Sequence, residues 1–332
     1  MHPYIKQKKG YVLILVLGSI TLLSSIVLLF SLKVTEKIKV ESERNTKDFL
    51  IQKAYSALEI SLGVINQYGV KDHALWGPQQ GWKHPLDEFQ GEFPKDMEVH
   101  VTCYDEYSKI PLTGTSRELL TLGLQRLGIT LEKEDQLSDS LLDWIDADNL
   151  SRLHGLDGTD YKDDNKNLQC PNRVLHSWRE LDFIHAWDNL SKSQKRHFAS
   201  IFSLFNSKRL NINSITNETF EILEEYSATD LNTIINVIAG EDGILGSEDD
   251  NIIKDFDSYP QLKNSNFFKT STDTIYIKIE VSYADSNALL HALVKWNGGS
   301  VPDTEITPNN LVYPFTILRL EENSLNFSSV EF

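Results

Sequence analysis

From Tyr11 to Leu32 the chain carries no charged residue, and a helix of that length rises about 33 Å, the thickness of a bilayer's hydrocarbon core. This run is longer than the apolar region of a cleavable secretory signal, and it ends in Lys33, Glu36 and Lys37 instead of a small-residue cleavage site. Met1 to Gly10 holds Lys6, Lys8 and Lys9 and no acid. The positive-inside rule therefore keeps that end cytoplasmic and sends the bulk of the chain across the membrane. The expectation is a single-pass anchor bearing an extracytoplasmic body. At 332 residues the chain is long enough for one large domain or two modest ones. Its formal charge of -16, from 32 basic and 48 acidic residues, argues against nucleic acid as a partner, because affinity for a polyanion comes from Lys and Arg neutralising phosphates.

Past the membrane, no Gly or Pro occurs between Lys33 and Leu62, so the anchor helix has no reason to stop. Residues 35–48 are charged around most of the helix, as befits a solvated stalk. An apolar stripe then appears at Ile51, Ala54, Tyr55, Leu58, Leu62 and Ile65, with steps of three and four that place it on one face, ready to dock on a sheet. A Gly/Pro-rich loop over 69–94 leads to MEVHVTCYDE, which alternates Val99, Val101 and Cys103 with polar neighbours and predicts a strand. TIYIKIEVSY (274–283) and the following ALLHALVKWN predict a hairpin turning at Asp285-Ser286-Asn287. Between them, RELLTLGLQRLGI, DSLLDWI, WRELDFI, QKRHFASIFSLF and ETFEILEEY all show helical periodicity. The fold class expected is α+β: a long N-terminal helix on a small antiparallel sheet, with a large all-helical domain inserted into the sheet connection. The divisions are a leader at 1–10, a transmembrane helix at 11–32, the helix continuation and first part of the body at 33–114, the inserted α-domain at 115–265, and the C-terminal strands at 266–332.

Two acidic loops stand out within the insertion. Residues 139–164 hold eight aspartates, and residues 241–257 hold seven acids against Lys254. Short, glycine-containing, Asp-rich loops suit calcium, which takes six to eight oxygens in flexible geometry; a solvated acidic surface is the alternative. The candidate metal ligands are Asp146, Asp148, Asp157 and Asp160 in the first loop and Asp242, Asp249 and Asp250 in the second, with carbonyls near Gly155 and Gly246. Cys103 and Cys170 are the two cysteines; in an oxidising compartment they either form a disulfide or remain free thiols. Neither H-E-x-x-H nor G-x-S-x-G occurs, and no catalytic constellation is visible.

The junction KKGYVLILVL, a short basic leader ending in Gly10 before Tyr11 and the apolar run, resembles the prepilin signal of type IV pilins and type II secretion pseudopilins. That resemblance implies cleavage after Gly10 by prepilin peptidase, with methylation of the new N-terminus at Tyr11. Most such subunits carry Glu at the fifth mature position. This chain has Leu15 there, which fits a specialised minor subunit placed first in a filament. SDSLLDWIDADNLSRLHGLDGTDYKD, with Asp143-Trp144-Ile145-Asp146-Ala147-Asp148, Gly155, Asp157 and Asp160-Tyr161, is similar to the motif of the K-class minor pseudopilin of type II secretion (general secretion pathway protein K). SWRELDFI and LNINSITNETFEIL, with Asn211, Ile212 and Asn213, resemble two further segments of that family. A DNA-binding helix-hairpin-helix is the competing reading of 211–239, but that stretch has no Gly, Lys or Arg.

The resemblance implies a pilin-like α+β fold and a non-catalytic role starting or capping a pseudopilus. It places the chain in the inner membrane, with the N-terminus cytoplasmic and the bulk periplasmic. Its implied partners are the I- and J-class minor pseudopilins, the major pseudopilin and prepilin peptidase. The alternatives are a signal-anchored extracytoplasmic metal-dependent hydrolase and a type IV pilus minor pilin. Mature protein extracted from membranes that contain the peptidase should begin at Tyr11 by mass spectrometry, and Gly10→Val should leave the longer precursor. Intact Met1 in the wild type would refute the processing.

Overall fold

The computed structural model describes residues 9–89, 91, 93–156, 170–205, 209–227, 232–247, 249–263, 267–284, 286–298 and 313–322. Residues 1–8 of the leader lie outside them. Helix α1 spans Lys9–Asp72, 64 residues without interruption. Side chains from Tyr11 to Leu32 are exposed, as a segment awaiting lipid requires. From Leu50 onward one face is buried: Leu50, Ala54, Leu58, Leu62 and Ile65 are core, with Ile51 and Tyr55 packed at its margin. The helix runs through Gly69, where expectation had begun a loop; the ring of Trp296 lies 2.5 Å from where a Cβ would stand, so only glycine admits this approach. It stops where His73 takes a left-handed φ of 58°, with Lys71 in the last turn complementing the helix dipole.

Strands β1 (Met97–Asp105), β6 (Thr274–Tyr283), β7 (Ser286–Trp296) and β8 (Phe315–Glu322) form one antiparallel sheet in the order β1-β6-β7-β8. Residues Ile275, Ile277, Ile279 and Val281 alternate onto the face that meets α1, and each such side chain fully buried contributes about 1.5–3 kcal/mol. The hairpin turns one residue earlier than expected: Ser286 and Asn287 already pair with Tyr283 and Ser282, and Ala284 supplies the positive φ (50°) that a tight hairpin needs. Strand β8 carries no clear alternation and becomes a strand by pairing with β7 across Leu290–Trp296.

The insertion between β1 and β6 has its own core. It draws on residues from Ile110 to Phe268, slightly wider than 115–265. Two short parallel pairs close its ends: β2 (Ile110–Pro111) with β3 (Phe202–Ser203), and β4 (Leu210–Asn211) with β5 (Phe268–Lys269). Helices α2 (Arg117–Gln125), α3 (Leu131–Ile145), α4 (Lys192–Ile201), α5 (Asn217–Ser227), α6 (Asn232–Ile238) and α7 (Pro260–Lys263) fill the interval. WRELDFI forms a 3-10 helix, Trp178–Phe183, whose Trp178 packs edge-on against Phe198. In QKRHFASIFSLF the helix ends at Ile201, because Phe202 and Ser203 leave it to pair with Ile110 and Pro111.

The two cysteines are buried. Cys103 faces α1 in the first core, whereas Cys170 lies in the second, its Sγ 3.4 Å from the carbonyl of Asp143. The sequence left a disulfide between them open; the structure puts the two thiols in different cores.

Candidate functional site

Chemistry-bearing residues gather in three places: the first acidic loop, the second acidic loop, and the seam where the insertion meets the sheet. In the first, α3 projects Asp135, Asp139 and Asp143 toward two arginines. The Arg117 guanidinium donates to Asp135 (2.6 Å) and Asp139 (2.7 Å). That of Arg152 donates to Asp143 and to Asp146 (2.6 Å). Asp143 is fully buried, and burial raises its pKa even though the Arg152 side chain and backbone N–H bind its charged form. Part of the acid run is thus matched by forked cations, which hold carboxylates in fixed planes. Asp148 accepts from the Leu150 N–H, and Asp157 and Asp160 lie outside the described residues. Two acceptors in this loop are left over: Asp146 Oδ1 and Asn172 Oδ1 are buried without a hydrogen-bond partner among the described residues. Asn172 escaped sequence reasoning. Its one signal is a left-handed φ of 47°, a conformation asparagine tolerates.

In the second loop, Gly240 ends α6 in a left-handed conformation (φ 57°) and sits 2.5 Å, measured from a notional Cβ, from Asp249. Asp249 Oδ2 accepts from the Glu241 and Asp242 N–H groups (2.7 and 3.2 Å). Hydrogen bonds from Ser247 and these amides hold its pKa below the usual carboxylate range. The Ser247 hydroxyl lies 2.5 Å from Asp249 Oδ1, 3.2 Å from Asp250 Oδ1 and 3.4 Å from Asp242 Oδ1. All three ligand candidates of this loop therefore surround one oxygen, which has a single proton to donate. Among the described residues no three carboxylates, imidazoles or thiolates close into a coordination shell.

The seam is buried and polar. Asn211 Nδ2 donates to Asp105 Oδ2 (2.7 Å), to the Trp76 carbonyl (2.7 Å) and to Ser214 Oγ (2.8 Å). Asn213 Nδ2 donates to the carbonyls of Ile253 (2.9 Å) and Thr270 (2.7 Å), and its Oδ1 accepts from the Ile253 N–H. Asp105 also accepts from the Tyr107 N–H and Ser214 Oγ, and burial raises its pKa. The Asn-x-Asn segment thus joins the loop after α1, the end of β1 and the insertion. Lys269 lies beside Tyr107, and burial lowers its pKa to about 8, against the pull of Asp273 and Asp105.

An apolar N-terminal helix that runs unbroken into the core of an antiparallel sheet, with helices inserted between sheet strands, defines an α+β protein of pilin-like build whose N-terminal helix fits a single-pass membrane anchor. Residues 115–202, which lie within the insertion, match the family described as type II secretion system (T2SS), protein K. Among solved structures, a chain in the GspK-GspI-GspJ complex from the enterotoxigenic Escherichia coli type 2 secretion system shares the fold. Its TM-score is 0.60 at 14% identity, over 86% of this chain and 99% of that chain. A search of curated proteins finds no match.

A lysine whose folded pKa is about 8 against an ordinary 10.5 holds fewer protons in the folded than in the unfolded state between those values. Unfolding free energy should therefore rise with pH across that window. Lys269→Met should flatten this rise and increase stability at pH 7, read by urea unfolding of the detergent-solubilised chain. An unchanged slope would refute the assignment.

Proposed function

We propose that the chain is a minor pseudopilin that starts or caps the pseudopilus of a type II protein secretion system and acts as a structural component. The observation that carries this reading is the protein K domain at 115–202, inserted between strands of a sheet packed on a membrane-anchored helix. A type IV pilus subunit or a hydrolase gives no account of that domain. Helix α1 anchors the chain in the inner membrane, with the leader cytoplasmic and the sheet and insertion periplasmic, as the three leader lysines direct. Prepilin peptidase releases the leader at Gly10. The I- and J-class minor pseudopilins are its partners at the tip, and the major pseudopilin follows beneath them; the three-protein complex containing the similar fold supports the first of these.

Calcium belongs to the same proposal. The unpartnered Asp146 Oδ1 and Asn172 Oδ1 suit a hard cation in the first loop, with Asp148, Asp157 and Asp160 nearby in sequence. Asp242, Asp249 and Asp250 suit one in the second, around Ser247. A bound ion would supply charge neutralisation, letting the carboxylates close without mutual repulsion.

Co-expression with I- and J-class subunits, followed by detergent extraction and gel filtration, should give one co-eluting complex. Separate elution of this chain would overturn the tip assignment. Millimolar calcium should raise the melting temperature of the full chain relative to chelator, corresponding to about 2.7 kcal/mol at a hundredfold excess over the dissociation constant. The double variant D242N/D250N should lose the second loop's share of that shift, and identical wild-type curves in calcium and chelator would reduce the acids to a solvated surface.

A further inference from the structure

Between the loop after α1 and the insertion lies a groove of about 800 Å³, lined on one side by Gln79, Lys83 and Tyr104 and on the other by Ser214, Glu218 and Ser247. The second acidic loop reaches across one end of it. Gln79 Nε2 donates to Asp250 Oδ2 (3.2 Å) and to the Asn213 carbonyl (2.5 Å), and Lys83 Nζ donates to the Gly246 carbonyl (3.1 Å). Asp250 Oδ2 also accepts from the Gly246 N–H (2.6 Å). One carboxylate oxygen therefore both folds the loop and receives the body's side chain. On the body side, Gln80, next to Gln79, donates to Asp72 Oδ2 at the end of α1 (2.8 Å). Apart from Leu245, partly buried against the insertion's core, and the buried Asp250, the loop has little burial of its own, and Ile244 is exposed. In the seam behind it, Asp105, Asn211 and Asn213 are buried.

We propose that the second acidic loop, at its described residues 240–247 and 249–251, forms a strap, fastened by Gln79 and Lys83, that closes one end of this groove and opens without parting the seam. Segments with few apolar contacts and solvent-reachable hydrogen bonds open at lower free energy than the core around them, and the strap meets that description where the seam does not. Because its fasteners adjoin the terminal turn of α1, the strap ties the groove's closure to the anchor helix. This role uses Gln79 and Lys83 on the body and does not depend on any ion in the loop.

Hydrogen exchange of the detergent-solubilised full chain, followed by mass spectrometry in the presence of chelator, tests this. The Q79A/K83A double variant should exchange the Glu241, Asp242, Ile244 and Gly246 amides roughly tenfold faster than wild type, while peptides from β6 and from 211–214 keep their protection. Unchanged exchange in 241–250 would overturn the strap. So would acceleration spread equally over β6 and the seam, which would make Gln79 and Lys83 general stabilisers of the fold. Lys83→Arg, which keeps a donor for the Gly246 carbonyl, should exchange as wild type does; exchange as fast as in the double variant would also overturn the proposal.

Discussion

Everything in this molecule hangs on one helix that must satisfy two solvents. Along Tyr11–Leu32 helix α1 presents apolar side chains on every face, which only lipid or other helices can cover. From Leu50 to Ile65 it presents them on one face alone, which only a sheet of matching width can bury. The alternating isoleucines of β6 supply that cover, with β1 and β7 on either side. The helical backbone is continuous from the apolar segment through the charged stalk into the body. Gly69 and Trp296 fix the upper end of the docking by removing the space in which the two could slide.

The insertion poses the opposite problem, since it holds most of the acid in a strongly acidic chain. Its carboxylates, and that of Asp105 at the end of β1 where the insertion meets the sheet, are handled in three ways. Arg117 and Arg152 take four of them into ion pairs. Backbone amides and the Ser247 hydroxyl take Asp242, Asp249 and Asp250. Asp105, wholly desolvated, is held by Asn211, Ser214 and the Tyr107 amide. Burying a carboxylate without partners costs several kcal/mol, so each arrangement constrains the backbone around it. The same polar groups that relieve the acids therefore position the insertion on the body. This makes the Asn-x-Asn segment an architectural element, in keeping with its lack of any basic residue that could grip phosphate.

The sequence alone determined the anchor, the α1 stripe, β1 and the β6-β7 hairpin, because each rests on a local period: length of apolar run, steps of three and four, or alternation. It also carried the protein K motif, since that resemblance lies in the order of residues along the chain. What only the tertiary structure decided were the partnerships. Strand β8 has no period of its own and is a strand because β7 offers it an edge. WRELDFI has helical spacing yet forms a 3-10 turn against Phe198, and Phe202 leaves its helix for Ile110. Cys103 and Cys170 look alike in sequence and belong to separate cores. Spacing could place aspartates in a loop, but it could not show that Arg152 takes Asp143 and Asp146, that the Asn172 amide reaches the Asp148 carbonyl, or that Gln79 reaches Asp250 from 171 residues away. Such contacts depend on where distant segments are brought by packing, and a charge's partner is whichever group that packing leaves within hydrogen-bond reach.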